Sequence, residues 1–280
     1  MNFFNIINQL AEVDSDVLGR LDSRRAVFSS LTTAGKRVSQ AAVPALLASY
    51  FSKAYAGTAA TAGDPKEIFN YALTLEQLEA DFYNKMLATT NATVFATASP
   101  LAQAAIRQIA KHENAHVALL TAVVSGIGGT PVTGKTFKAA EFAKLTSFAA
   151  QLEVAQLLED TGVRAYKGRA GDLQGLADIT IGNKVYNPLE AALQIHSVEA
   201  RHASHIRYMR AQTPWISGDG DKDGADNYKG ATPESNVVQA NVNITTQLGT
   251  TYTAKDAQAS FDEILTPTEV LALVTPLIGA

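Results

Sequence analysis

Glu76-Gln-Leu-Glu-Ala-Asp-Phe-Tyr83, followed by Glu113-Asn-Ala-His116, decides how this chain is read. The plan recurs in Glu159-Asp-Thr-Gly-Val-Arg-Ala-Tyr166 followed by Glu199-Ala-Arg-His202. On a helix, a step of three sets Glu beside His, and a step of seven returns to the same face after two turns. Each half therefore offers one lone Glu from a first helix and a Glu–His pair from the next. A four-helix bundle uses that set to hold two metal ions in its core. Without a cation, four carboxylates facing an apolar interior would each carry a burial cost of several kcal/mol, by order of magnitude.

The helices that carry these residues announce their starts. Asp64-Pro65-Lys66-Glu67, Ser99-Pro100 and Asn187-Pro188-Leu189-Glu190 each place a capping side chain before a proline, and the first and third add a capping-box Glu. A softer start falls near Lys138-Ala139. The pattern predicts helices over about 65–89, 100–125, 139–168 and 188–211. The first two are joined by a short polar segment near Asn91–Ser99, as antiparallel neighbours are. The second ends at Gly126-Ile127-Gly128-Gly129, and the residues before the third can nearly span a helix of about 39 Å. A long crossover there is the connection of an all-α, antiparallel four-helix bundle with parallel middle helices. Ile179–Tyr186, around Gly182-Asn183, reads as a small hairpin.

Composition narrows the function. The chain is 46% hydrophobic, carries a formal charge of −4 and has no cysteine. A bundle core is therefore well supplied. Disulfides, zinc knuckles and iron–sulfur clusters are excluded, and there is no basic footprint for nucleic acid. No run reaches the ~18 apolar residues of a membrane span.

Three regions follow. Residues 57–212 form the bundle and 213–280 an irregular extension whose last amphipathic piece, Thr268–Ile278, packs back on it. Residues 1–56 are a leader. Within the leader, Arg24-Arg25, an apolar run from Val38 to Phe51 and Ala54-Tyr55-Ala56 are the parts of a twin-arginine export signal. The other reading is an uncleaved N-terminal helix in a cytoplasmic protein, with Phe28, Leu31, Val38, Leu46 and Leu47 docked on the bundle or a second subunit. Export predicts a periplasmic or external protein whose mature form begins at Gly57. N-terminal sequencing from the native host decides, since a start at Met1 or Asn2 rules out cleavage.

The residues quoted for both halves, with Leu75, Phe82, His112 and Leu158 around them, resemble the ferritin-like superfamily over about residues 60–212. Within it, the likeness is to ferritin-like domain proteins related to plant desiccation-related proteins. The spacings also resemble rubrerythrin-type di-iron proteins, but the cysteine-ligated iron domain of those proteins is missing. The resemblance implies Glu76 and Glu159 as terminal ligands, Glu113 and Glu199 as bridges, and His116 and His202 as the ligands completing each site. Tyr83 and Tyr166 would orient carboxylates. Two iron or manganese ions would be the cofactors, and O2, peroxide or Fe(II) the small substrates, in a stress-protective ferroxidase, peroxidase or catalase chemistry. A structural or interaction protein with a vestigial or zinc-only site is the alternative, and self-association stays open. Glu79, one turn from Glu76, is a substitute ligand; Glu153 reads as a surface charge or a group supporting a ligand, His196 and His205 as peripheral residues lining the approach to the site, and His112 as a hydrogen-bonded or surface residue.

Two further patterns need weighing. Gly129–Thr136 matches a phosphate-binding loop in letters, but a helix precedes it, no parallel-sheet pattern exists and no apolar strand ends in a magnesium-binding Asp, so the crossover explains it. Asp219, Asp221 and Asp223 offer a calcium-type loop, although Gly230 stands where the bidentate Glu should be.

Overall fold

A computed structural model describes residues 64–218, 226–247 and 251–279. The leader and the calcium-type Asp219, Asp221 and Asp223 lie outside the described residues. The bundle consists of α1 (Pro65–Leu87), α2 (Pro100–Gly126), α3 (Phe148–Leu173) and α4 (Pro188–Met209), with α1 packed mainly on α2 and α3 on α4. Asp64, Ser99 and Asn187 cap as expected, their side chains accepting the amides of Lys66, Ala102 and Glu190. A proline in the first turn loses no hydrogen bond, because its amide would be unpaired there anyway. Glu67 and Glu190 return no bond to their caps. Their charge still sits at the positive end of the helix dipole.

The third helix departs from expectation. A single turn, Ala139–Phe142, stops short, and α3 begins at Phe148 after Ser147, whose hydroxyl accepts the Ala150 amide at 3.1 Å. Phe142 and Leu145 pack on the core from the intervening segment, so their apolar spacing reports burial and not a continuous helix. At the other end α3 runs through Gly168 and Gly171 to Leu173. A Cβ at Gly168 would collide with the Leu265 carbonyl oxygen, so the glycine there is required by close backbone approach.

Polar side chains of α1 hold the crossover in place. Asn70 donates to Thr130 O at 3.1 Å and accepts Val132 N at 2.7 Å. Gln77 donates to Val132 O at 2.6 Å and accepts Lys135 N at 3.1 Å, and Asp81 accepts Phe137 N at 2.7 Å. The Val132 and Lys135 amides belong to the stretch that imitates a phosphate-binding loop, and α1 already engages them. β1 (Thr136–Phe137) then pairs antiparallel with β6 (Ile278–Gly279), tying the crossover to the chain's end. The expected hairpin forms from β2 (Ile179–Ile181) and β3 (Lys184–Tyr186), with Gly182 at φ 63° in the turn. A third pair, β4 (Val238–Gln239) and β5 (Val242–Asn243), lies in the extension.

The end of the chain returns to the bundle. α5 (Pro267–Val274) starts from a Thr266–Glu269 capping box and buries Val270 and Val274 in the core cluster that also holds Phe82, Phe137 and Leu158. A second cluster includes Phe69, Leu73, Val124 and Leu173. Along α1, Leu73 belongs to the second cluster and Leu78 to the first. Glu76 lies between them.

Candidate metal centre

All six expected ligand residues converge between those clusters. Glu76, Glu113, Glu159 and Glu199 are fully buried, and His202 is 5% exposed. Two ligand sets emerge: Glu76, Glu113, His116 and Glu199, then Glu113, Glu159, Glu199 and His202. In each, one donor atom per residue lies within 4.8 Å of the others. Glu113 and Glu199 belong to both.

The spacings within each set are those of a coordination shell. His116 Nδ1 lies 3.0 Å from Glu76 Oε2, 3.3 Å from Glu113 Oε2 and 3.4 Å from Glu199 Oε1. His202 Nδ1 lies 2.9 Å from Glu113 Oε1 and 3.1 Å from Glu159 Oε2. A cation with bonds of ~2.1 Å sets its ligands about 3.0–3.4 Å apart. One ring nitrogen carries at most one proton, so it cannot satisfy two or three surrounding oxygens. Accordingly Glu113 Oε1 and both Glu199 oxygens have no aligned hydrogen-bond donor, although each is buried. Orphaned carboxylate oxygens converging on imidazole nitrogens fit cations, and these buried groups can hold metal ions.

Electrostatics makes the same point. Burial, then the neighbouring carboxylates, push Glu76 and Glu199 well above the usual carboxylate range, and burial raises Glu159. Burial opposes charge on the two imidazoles, but the surrounding carboxylates outweigh it. They take His116 up to about 12 and His202 up to about 11. Burial also acts on Glu113, yet His116 and His202 together hold it down at about 2. The protein alone thus balances its negative groups with protons, a role two cations would fill.

The tyrosines cross between halves. Tyr83 on α1 donates to Glu159 Oε1 on α3, and Tyr166 on α3 donates to Glu76 Oε1 on α1. Each phenol therefore fixes the lone glutamate of the opposite repeat. Burial raises both phenols well above their ordinary range, which keeps them as donors.

An open groove of about 1760 Å³ between α2 and α4 reaches this centre. His112, His116, His202, His205, Ile109 and Tyr208 are among its lining residues. His112 is hydrogen-bonded, and its partner belongs to the centre. Its Nδ1 is 2.9 Å from His202 Nε2, its ring stacks on His202 at 9°, and Gln108 holds its far side. The 90-residue separation hid this pairing from any local reading. His205 lines the groove as expected. His196 does not; burial and the nearby Lys167 lower its pKa. Glu153 is exposed and pairs with Arg210 at 3.3 Å.

Glu79 reads from the sequence as a substitute for Glu76. It is 3% exposed, and burial, followed by Glu199, Glu76, Glu113 and Glu159, raises its pKa well above the ordinary value. It joins neither ligand set and replaces no member of them.

Bundle and centre together define a protein class: four helices with a long middle crossover around a duplicated carboxylate–histidine cluster. A family model described as ferritin-like domain matches residues 64–212, and the chain belongs to that family. No curated protein and no solved structure gives a significant match. Among the described residues, no helix is long and apolar enough to cross a membrane.

Proposed function

We propose that the cluster binds two redox-active ions, iron or manganese, and that the protein uses them to oxidise Fe(II) or to reduce dioxygen or peroxide in stress protection. The observation that carries this reading is the sharing of Glu113 and Glu199 between two complete sets of oxygen and nitrogen donors. Four carboxylates and two neutral imidazoles balance two divalent ions, which removes the burial cost. The mixed donor set suits iron and manganese.

The chain's own residues divide the work. Glu113 and Glu199 would span both ions, while Glu76 with His116 and Glu159 with His202 would complete one ion each. Tyr166 and Tyr83 keep the terminal carboxylates in place through the crossed hydrogen bonds. His112 supports His202 from the groove side, the kind of outer contact that fixes a ligand's ring and tautomer. The groove admits small molecules to the histidine side of the centre. When bound, the ions supply electron transfer and a place for an oxygen species to be held.

Metal analysis of protein purified without added metal tests the reading. Near two iron or manganese ions per chain supports it; no metal, or zinc alone, sinks it in favour of a structural scaffold. Loading should also release protons. His116, up to about 12, and His202, up to about 11, hold protons at neutral pH until Nδ1 binds an ion. Apparent affinity for Mn(II) is therefore expected to rise with pH between 6 and 8, as titration in weakly buffered solution would record. A pH-independent affinity with no proton release would contradict the ligand assignment.

A further inference from the structure

The two halves of the centre are held together differently. The residue after the lone glutamate is Gln77 in the first repeat and Asp160 in the second, and five residues after the histidine stand Thr121 and Arg207. Gln77 holds the crossover, donating to Val132 O and accepting Lys135 N. Asp160 instead meets the Arg207 guanidinium of α4 in a two-pronged pair, Nη1 on Oδ1 and Nη2 on Oδ2, each at 2.5 Å. Both side chains are buried. Outside the ligands, α1 and α2 are bridged among the described residues by the exposed pair Asn84 and Asn114, at 3.3 Å.

The extension completes the clamp between α3 and α4. Tyr228, fully buried at the end of the 3-10 turn Asp226–Tyr228, donates its hydroxyl to Asp160 Oδ2 at 2.7 Å. The same oxygen accepts Arg207 Nη2 at 3.1 Å and Gln156 Nε2 at 3.0 Å. Gln156 and Asp160 of α3 and Arg207 of α4 therefore close on one phenol. A buried ion pair adds little net stability over apolar residues of similar volume, so direction is what this one contributes. A guanidinium fork on a carboxylate fixes both distance and orientation, and between two helices it resists sliding. One residue of helix rises ~1.5 Å, whereas a metal site needs its donors held within about 0.5 Å. Glu159 adjoins Asp160 in the chain, and its Oε2 lies 3.1 Å from His202 Nδ1. Locking α3 against α4 at Asp160 and Arg207 thus locks that donor pair.

We propose that Asp160, Arg207 and Tyr228 are positioning residues that make the Glu159–His202 position the tighter of the two metal positions, and that the extension, through Tyr228, sets this difference. The inference rests on the metal reading above. Glu113 and Glu199 serve both ions, and the crossed tyrosines brace the two terminal glutamates alike. Neither feature separates the positions. The clamp does, because donors already held in place lose less freedom when an ion arrives. The first ion taken up therefore sits with Glu159 and His202, and the second with Glu76 and His116.

The test titrates Mn(II) into the full chain, into His116→Ala and into His202→Ala, each variant leaving one complete position. His116→Ala should keep the tighter ion and His202→Ala the weaker. Each is then combined with Tyr228→Phe, which keeps the ring and removes the hydroxyl. In the His116→Ala background this should weaken Mn(II) binding by ~10–100-fold, the range for groups that orient a ligand. In the His202→Ala background the affinity should not move. Replacing the ion pair by Asp160→Leu with Arg207→Met, an apolar exchange compatible with an intact fold, should repeat that selective loss. Should the double change not fold, Tyr228→Phe alone decides. A role in stability only would weaken both backgrounds alike, and that result overturns the proposal. So do equal affinities of His116→Ala and His202→Ala. If wild type binds no Mn(II), the metal reading itself fails, an outcome distinct from these.

Discussion

Replacing Glu113 by alanine is expected to empty both metal positions at once, taking the chain from two bound ions to none. The reason is geometric. Glu113 Oε2 lies 3.3 Å from His116 Nδ1 and its Oε1 lies 2.9 Å from His202 Nδ1, so one carboxylate serves both donor sets. Its removal takes a ligand from each ion and half the shared negative charge between them. The protonated imidazoles it now holds then face the site with less opposition. Tyr83→Phe is the matched comparison. It deletes a hydrogen bond to Glu159 Oε1 and no donor atom, so both ions should remain, with affinity weakened by no more than ~10–100-fold. Elemental analysis after desalting reads both variants, and circular dichroism confirms that each is folded. Equal metal loss in the two would show that bridge and supporting group have been confused.

The difference between those two residues also marks what sequence can and cannot convey. Glu113 and His116 share one helical face at a spacing of three, so their relation is written locally. The N-caps Asp64, Ser99 and Asn187 are equally local, which is why three of the four bundle starts were legible. Tyr83 and Glu159 are 76 residues apart, and the crossing of tyrosines between repeats follows only from how α1 and α3 face one another. The start of α3 was misread because Phe142 and Leu145 keep apolar spacing while the backbone leaves the helix. Glu79 read from its spacing as a substitute for Glu76, although it joins neither ligand set. Only the neighbouring helix, through Gly162, makes it an interior group.

Arg164 carries the largest expected effect on stability. Arginine is almost never fully buried unless paired, and Arg164 is fully buried. Its guanidinium lies 2.9 Å from the buried Glu234 carboxylate and donates to the carbonyls of Asn227, Lys229, Thr232, Glu263 and Ile264. All these partners come from the extension, so one side chain of α3 gathers two separate stretches of it, residues 227–234 and 263–264. Arg164→Met keeps the volume but orphans five carbonyls and leaves Glu234 unpaired. Burial already lifts Glu234 to about 7 despite the arginine, and without it the group should be driven to take up a proton. Breaking a buried pair in this way costs about 3–5 kcal/mol. The expected result is a markedly lower melting temperature, with limited proteolysis cutting within residues 226–264 before the bundle helices. Adding Glu234→Gln should recover part of the loss, since it removes the buried charge while leaving an acceptor for the Glu263 amide. An Arg164→Met protein with unchanged melting temperature and cleavage pattern would mean that the extension is held by its apolar anchors Leu265, Val270 and Val274 alone.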